Sequence, residues 1–141
     1  MFSSGYLANL AIVTALTAAL SGGGGGGDGG GAGVLIVSDE RNHASLVDAC
    51  RLARRPGVRV LVTPHGDAAA VEAALARREE RAAIVVTDAV FSVAGDVAPV
   101  AALHAAARRH GRCSWSTRRT RSACSAMGPR RVLGHGHRGG A

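Results

Sequence analysis

The sequence predicts an α/β fold. Three observations carry that expectation: three short apolar runs rich in β-branched residues, a helix-length alanine-rich stretch after each, and no polar alternation inside the runs. Strands that are apolar throughout are buried on both faces, and strands joined by helix-length crossovers pair in parallel. A mainly parallel sheet with helices on its faces and right-handed connections follows.

Gly5 to Leu20 consists of strong helix formers, and Ser21 followed by glycine ends the run. Residues 21–33, SGGGGGGDGGGAG, are low-complexity and have almost no side chains to bury, which reads as a flexible loop. VLIVSD (34–39) is the first strand, and NHASLVDACRLARR (42–55) supplies a helix with Leu46, Val47, Cys50 and Leu52 on one face. The unit recurs as VRVLVT (58–63) with DAAAVEAALARREE (67–80), and again as AAIVVTD (82–88) with VAPVAALHAAARRH (97–110). Asp67 and Asp96 stand where N-caps belong. Three strand-then-helix units therefore place parallel strands near 34–38, 58–62 and 82–87. The last helix must return to the sheet, so a fourth strand should follow Gly111. Instead, HGRCSWSTRRTRSACSAMGPRRVLG (110–134) has no apolar period, and no packed element is expected after Arg112.

Composition bounds the chain to one small domain, with 141 residues of which 47% are hydrophobic and 3% aromatic. A net charge of +7 ordinarily points to nucleic acid or an anionic surface, but the charge is unevenly placed. Arg112, Arg118, Arg119, Arg121, Arg130 and Arg131 fall in a stretch without acids, whereas the preceding part is nearly balanced. All 17 basic residues are arginine, so the chain has no lysine. Cys50, Cys113 and Cys124 form no C-x-x-C pair and are odd in number, which predicts a reducing, cytoplasmic setting. Leu7 to Leu20 is apolar but contains Asn9, Thr14 and Thr17, follows no basic region and is too short to span a bilayer, so a buried helix and no membrane association are expected.

The motifs differ in what they can carry. The glycine run leaves a helix and enters a strand, the reverse of the strand, glycine, helix order of nucleotide-binding loops, and no Gly-Lys-Ser/Thr is present. His135 and His137 share no ligand spacing with Cys113 or Cys124, so a metal site is not expected. Asp39, His43, Asp88 and Ser92 fall at or just past the carboxyl ends of strands, where open α/β sheets collect ligands.

The wording of three segments goes further. SGYLANLAIVTAL, SDERNHASLVDACRL and VVTDAVFSVAGDVAPVAAL resemble, in order and spacing, the pyridoxal-phosphate-dependent α-oxoamine synthases, and among them most nearly the branch that serves biotin synthesis. The resemblance covers residues 2 to 111, interrupted only by the glycine run. It implies part of a fold-type-I large domain over 1–111, with pyridoxal 5'-phosphate as cofactor. It also implies a homodimer that condenses an acyl-coenzyme A with an amino acid and loses carbon dioxide. On that resemblance the backbone of Gly5 and Tyr6 approaches the cofactor phosphate at a helix start, His43 stacks on the pyridine ring, Ser92 bonds near the phenolic oxygen, and Asp88 holds its loop in shape. The chemistry further needs an Asp to keep the pyridine nitrogen protonated and a Lys to carry the cofactor covalently. The family places them in D-x-A-H and S-K motifs; neither is here, and covalent attachment through lysine is not available.

Residues 112–141 read as a shifted frame. After loss of one base near codon 112, the first base of each present codon becomes the middle base of a lost one. Cys113 and Trp115 begin with T, and Ser114 and Ser116 can, and a middle T always encodes an apolar residue. With G- or C-ending codons, residues 113 to 126 back-read as V-L-L-V-D-E-A-H-A-L-G-V-L-G, a strand followed by D-x-A-H. Met1 correspondingly reads as an internal start. The expected product is a truncated, inactive relative of the synthases. The other reading is a small α/β module whose Arg-rich tail binds RNA or DNA through phosphates, although Trp115 is the one aromatic near those arginines.

Overall fold

The computed structural model describes residues 4–21 and 33–110, and the backbone of 115–116 and 122–127. Helix α1 (Gly5–Ser21) precedes β1 (Val34–Asp39), α2 (Ala44–Leu52), β2 (Val58–Thr63), α3 (Ala68–Ala76), β3 (Ala82–Asp88) and α4 (Val100–Arg109). Two further strands, β4 (Trp115–Ser116) and β5 (Ser122–Met127), complete one sheet of order β2-β1-β3-β5-β4.

The three expected strands pair in parallel, β1 with β2 from Val34 opposite Val58 and β1 with β3 from Val34 opposite Ala82. Every residue of β1 and β3 is buried. Successive side chains of a strand point to opposite faces, and the core divides accordingly. Val34, Ile36, Ala82, Ile84 and Val86 pack with Val13 of α1 and Leu46, Ala49 and Cys50 of α2. Leu35, Val37, Ala83 and Val85 pack on the other face with Val71 and Leu75 of α3 and Leu103 and Ala107 of α4. The result is a three-layer α/β arrangement in which α2 and α3 lie on opposite faces.

Gly33 shows why glycine leads into β1. Its φ is +144°, and a Cβ there would stand 2.7 Å from the carbonyl oxygen of Gly57. The close approach lets Val34 N–H donate to Gly57 at 2.8 Å and Ala82 N–H donate to Gly33 at 3.3 Å, which sets the register of all three parallel strands.

Several expectations are corrected. Asp67 caps α3 by accepting from Ala70 N–H at 2.8 Å, but Asp96 caps nothing: α4 begins at Val100, with Pro99 at its N-cap. The carboxylate of Asp96 is engaged by other loops, and proline's fixed φ suits a helix entrance. On α2 the buried face comprises Leu46, Ala49 and Cys50, whereas Leu52 is exposed, because the helix ends there and the chain turns toward β2. Beyond Arg112, the backbone of β5 pairs antiparallel with β3, from Ala83 opposite Met127 to Asp88 opposite Ser122. The unpaired edge of a buried strand is a template for any segment free of proline, and 122–127 is such a segment. The side chains of Cys113, Cys124, His135 and His137 lie outside the described residues.

Candidate functional site

The strand order reverses at β1: α2 leads out to β2 on one side, and α3 crosses back to β3 on the other. Ligands of open α/β sheets bind at such a switch point, beyond the carboxyl ends of the strands. Here that point lies between the ends of β1 and β3. It is closed by Asn42, which is buried. Its amide nitrogen donates to Ser38 Oγ at 3.0 Å and to the Val86 carbonyl at 2.9 Å, and its oxygen accepts from Asp88 N–H at 2.9 Å. Asp88 in turn accepts from His43 N–H at 2.7 Å. Asp88, expected to hold its loop in shape, thus fixes the start of α2 across the switch point.

His43 is the N-cap of α2 and is exposed. Its Nδ1 accepts from Ser45 N–H at 3.2 Å and lies 2.8 Å from Ser45 Oγ, which accepts from Asn9 Nδ2 at 2.9 Å. Asn9 belongs to α1, so the two helices meet beside His43. Tyr6 strengthens that meeting by donating its hydroxyl to Asp48 at 2.6 Å. This bond raises the Tyr6 phenol above its ordinary range and lowers the Asp48 carboxyl, aided by Arg51. At the other end of α1, Arg81, just before β3, donates to the Leu20 carbonyl at 3.1 Å. The helix is therefore anchored near the amino ends of the strands by its last turn, and its first turn stands on the side of His43.

The N–H groups of a helix's first turn have no partner within the helix. Ser4 takes one of them, with its hydroxyl toward Leu7 N–H at 3.3 Å, while its carbonyl accepts the first helical bond from Ala8 N–H at 3.1 Å. Gly5 and Tyr6 present theirs beyond the helix end, and a Cβ on Gly5 would meet nothing within 4 Å.

The end of β2 adds His65 and Gly66, which the sequence analysis did not single out, and joins them to Asp39. Asp39, buried, accepts from Arg41 N–H at 2.8 Å, from Gly66 N–H at 2.8 Å, and contacts His65 Nδ1 at 3.1 Å. His65 lies just past β2, with its Nε2 3.5 Å from Asp96 and its ring edge-on to Phe91, centroids 4.4 Å apart. Gly66 reaches Asp39 with φ at +64°, the left-handed conformation that favours glycine. Phe91 is buried, and it closes a loop in which its N–H donates to Asp96 O at 2.8 Å and its carbonyl accepts from Gly95 N–H at 2.9 Å. Ser92 stands exposed in that loop, tied to β1 through Phe91, His65 and Asp39. The structure thus brings Tyr6, His43 and Asp88 together through α1 and α2, and connects Ser92 by a separate route. Asn42 and His65 were legible by the same strand-end rule that marks Asp39 and Asp88, being three and two residues beyond their strands.

A family model described as aminotransferase class I and II matches residues 1–113. The chain belongs to this family. Among curated members, it is 57% identical over 111 residues to 8-amino-7-oxononanoate synthase of Mycolicibacterium vanbaalenii and 53% identical over 111 residues to that of Mycobacterium tuberculosis. Each match covers 79% of this chain and 25% of the relative, so the chain spans about a quarter of their length. Among solved structures, serine palmitoyltransferase of Sphingomonas wittichii matches at 29% identity with a TM-score of 0.61, over 78% of this chain and 24% of that one. The enzyme from S. paucimobilis with a bound PLP-myriocin aldimine matches at 31% identity with a TM-score of 0.60, over 78% and 25%. The α/β class and the α-oxoamine synthase resemblance are both upheld. Among the described residues no helix is long and apolar enough to cross a membrane.

Proposed function

We propose that the chain is a slice of a pyridoxal-phosphate-dependent acyltransferase of the 8-amino-7-oxononanoate synthase kind, which keeps the non-covalent part of the cofactor cradle and is inactive by itself. The observation that carries this reading is the seat of His43 at the switch point, with the first turn of α1 beside it.

The residues fit part of the cofactor. Gly5 and Tyr6 offer backbone N–H groups at a helix start, where phosphate is favoured, and the open space at Gly5 lets an anion approach the backbone. Tyr6 serves through its backbone, because its hydroxyl is committed to Asp48. His43 supplies an exposed aromatic face beside them, and Ser92 an exposed hydroxyl on a loop braced by Phe91. When bound, the cofactor supplies a ring that draws electrons from the substrate carbon losing its carboxylate. The residues do not fit covalent attachment, which needs a lysine amine, because the chain has none and arginine stays protonated. The homodimer, the acyl-coenzyme A and amino-acid substrates and the cytoplasmic setting belong to the whole enzyme and are carried here with the same reading.

Residues 112–141 are read as out of frame. The family match stops at residue 113, where the apolar pattern stops, and this supports the reading. Resequencing the gene across codons 105 to 135 tests it: an open frame continuing through D-x-A-H and S-K is expected, and its absence would sink the idea.

The functional test mixes the chain with pyridoxal phosphate, follows the cofactor's absorbance, reduces with borohydride and maps adducts by mass spectrometry. Reversible binding weakened by His43→Ala is expected, with no adduct except at the Met1 amine, the one primary amine present. An adduct on an internal residue, or turnover of an acyl-coenzyme A with alanine, would overturn the proposal. A salt-dependent nucleic-acid affinity lost on removing 112–141 would favour a binding module instead.

A further inference from the structure

We infer that Asn9 and Ser45 form a hydrogen-bond relay that holds the neutral imidazole of His43 in its Nε2–H tautomer, making both of them positioning residues for that ring. Ser45 N–H can only donate, and it points at His43 Nδ1 from 3.2 Å, so Nδ1 presents a lone pair. Asn9 Nδ2 can also only donate, and at 2.9 Å it occupies a lone pair of Ser45 Oγ. The single hydroxyl proton of Ser45 is then left to point at Nδ1, 2.8 Å away. Two donors converge on one ring nitrogen, and the proton of the neutral ring resides on the other.

The surroundings make the relay effective. Ser45 is 1% exposed, so water does not compete for its hydroxyl. The backbone of His43 is pinned independently, since its N–H donates to Asp88 at 2.7 Å and its carbonyl accepts from Leu46 N–H at 2.9 Å. With backbone and Nδ1 both tied, the exposed part of the ring carries Nε2–H, a donor with no free acceptor. Asn9 sits on α1, so the helix whose first turn is read as the phosphate seat also sets the proton position on the ring read as facing the cofactor. The functional weight of the relay rests on that reading, whereas the tautomer itself does not.

The test uses the full chain without cofactor, labelled with 15N-histidine, and reads the tautomer from long-range 1H–15N correlations at mildly alkaline pH. The His43 signals are assigned by their loss in His43→Gln. The wild-type ring is expected as Nε2–H with Nδ1 unprotonated. Ser45→Ala should lower the ratio of Nε2–H to Nδ1–H about fivefold to tenfold, as loss of one hydrogen bond implies. Asn9→Asp should move it in the same direction, because a carboxylate claims the Ser45 proton and turns the Oγ lone pair toward the ring; it decides the matter if Ser45→Ala does not fold. A wild-type ring in the Nδ1–H form, or a ratio unmoved by these changes, would overturn the relay. A parallel titration with pyridoxal phosphate separates the two claims: an intact relay with no cofactor binding leaves the inference standing and removes the proposed function.

Discussion

Asp39 and Asn42 are two buried polar residues that hold three strand ends together, and their substitution should show it. Asp39 accepts from two backbone N–H groups and contacts His65, so Asp39→Ala strips three part-buried groups of the buried carboxylate that joins their segments. A loss of about 2 to 4 kcal/mol is expected by urea denaturation. Because His65 and Phe91 carry the bracing on to the 89–98 loop, hydrogen exchange there should quicken in the same variant. Exchange in that loop at the wild-type rate would show that His65 does not brace it. Asn42→Leu should lose about 2 to 3 kcal/mol, since it strips partners from Val86 O and Asp88 N–H while adding no packing space. The strand-end positions of Asp39 and Asp88 were legible in the sequence, because continuous apolar runs end visibly. What each carboxylate accepts was not, because the distant partners, His65 and Gly66 for Asp39 and His43 for Asp88, come from segments 26 to 45 residues away whose meeting depends on the strand order. Asp96 illustrates the cost of ignoring this: a cap by local rules, it is claimed by His65 and Arg41 once the loops are brought together.

At the scale of elements, the strand bounds were readable almost to the residue, whereas helix ends were not. Apolar β-branched runs stop sharply at polar residues, but an alanine-rich run continues past the point where the helix unwinds. α3 ends at Ala76 although ARREE continues a helix-forming composition to Glu80. One reason is that Glu80 is drawn to Arg59 on β2, where it bonds Nη2 at 3.1 Å and also Nε. The Arg59 guanidinium holds the Glu80 carboxyl below its ordinary value of 4.5, against a smaller opposing effect of burial. A carboxyl depressed in the folded state contributes stability that is full above the unfolded value and is lost as pH falls through the folded one. The stability difference between wild type and Glu80→Gln should therefore be largest at neutral pH and shrink below about pH 4.5. Denaturation at pH 7 and pH 3 checks this, and a difference that does not change with pH would rule it out. The cap of α3 gives a simpler expectation: Asp67→Ala should lose about 1 kcal/mol.

For the whole molecule, the deciding feature is which segment lies against β3. Every residue of β3 is buried, so its outer edge must be covered. In this chain β5 covers it, in the antiparallel sense. A chain that keeps the βα rhythm would arrive there in parallel, because α4 on the Leu35 face provides a crossover of the same kind as α2 and α3. The hydrophobic pattern made the first three strands legible, and its loss after Arg112 is why the covering strand was not. If 113–126 is out of frame, replacing it with V-L-L-V-D-E-A-H-A-L-G-V-L-G should seat a parallel strand beside β3. Nuclear Overhauser effects distinguish the outcomes, since antiparallel partners bring α-protons of opposite residues close and parallel partners do not. The present chain should show such contacts between 83–88 and 122–127, and the repaired chain should lose them while its new strand stays protected from exchange. Persistent antiparallel contacts in the repaired chain would mean that β5 is the native neighbour of β3 and that the shifted-frame reading fails. The repaired chain still has no lysine, so it should gain the fourth strand without gaining covalent attachment of the cofactor.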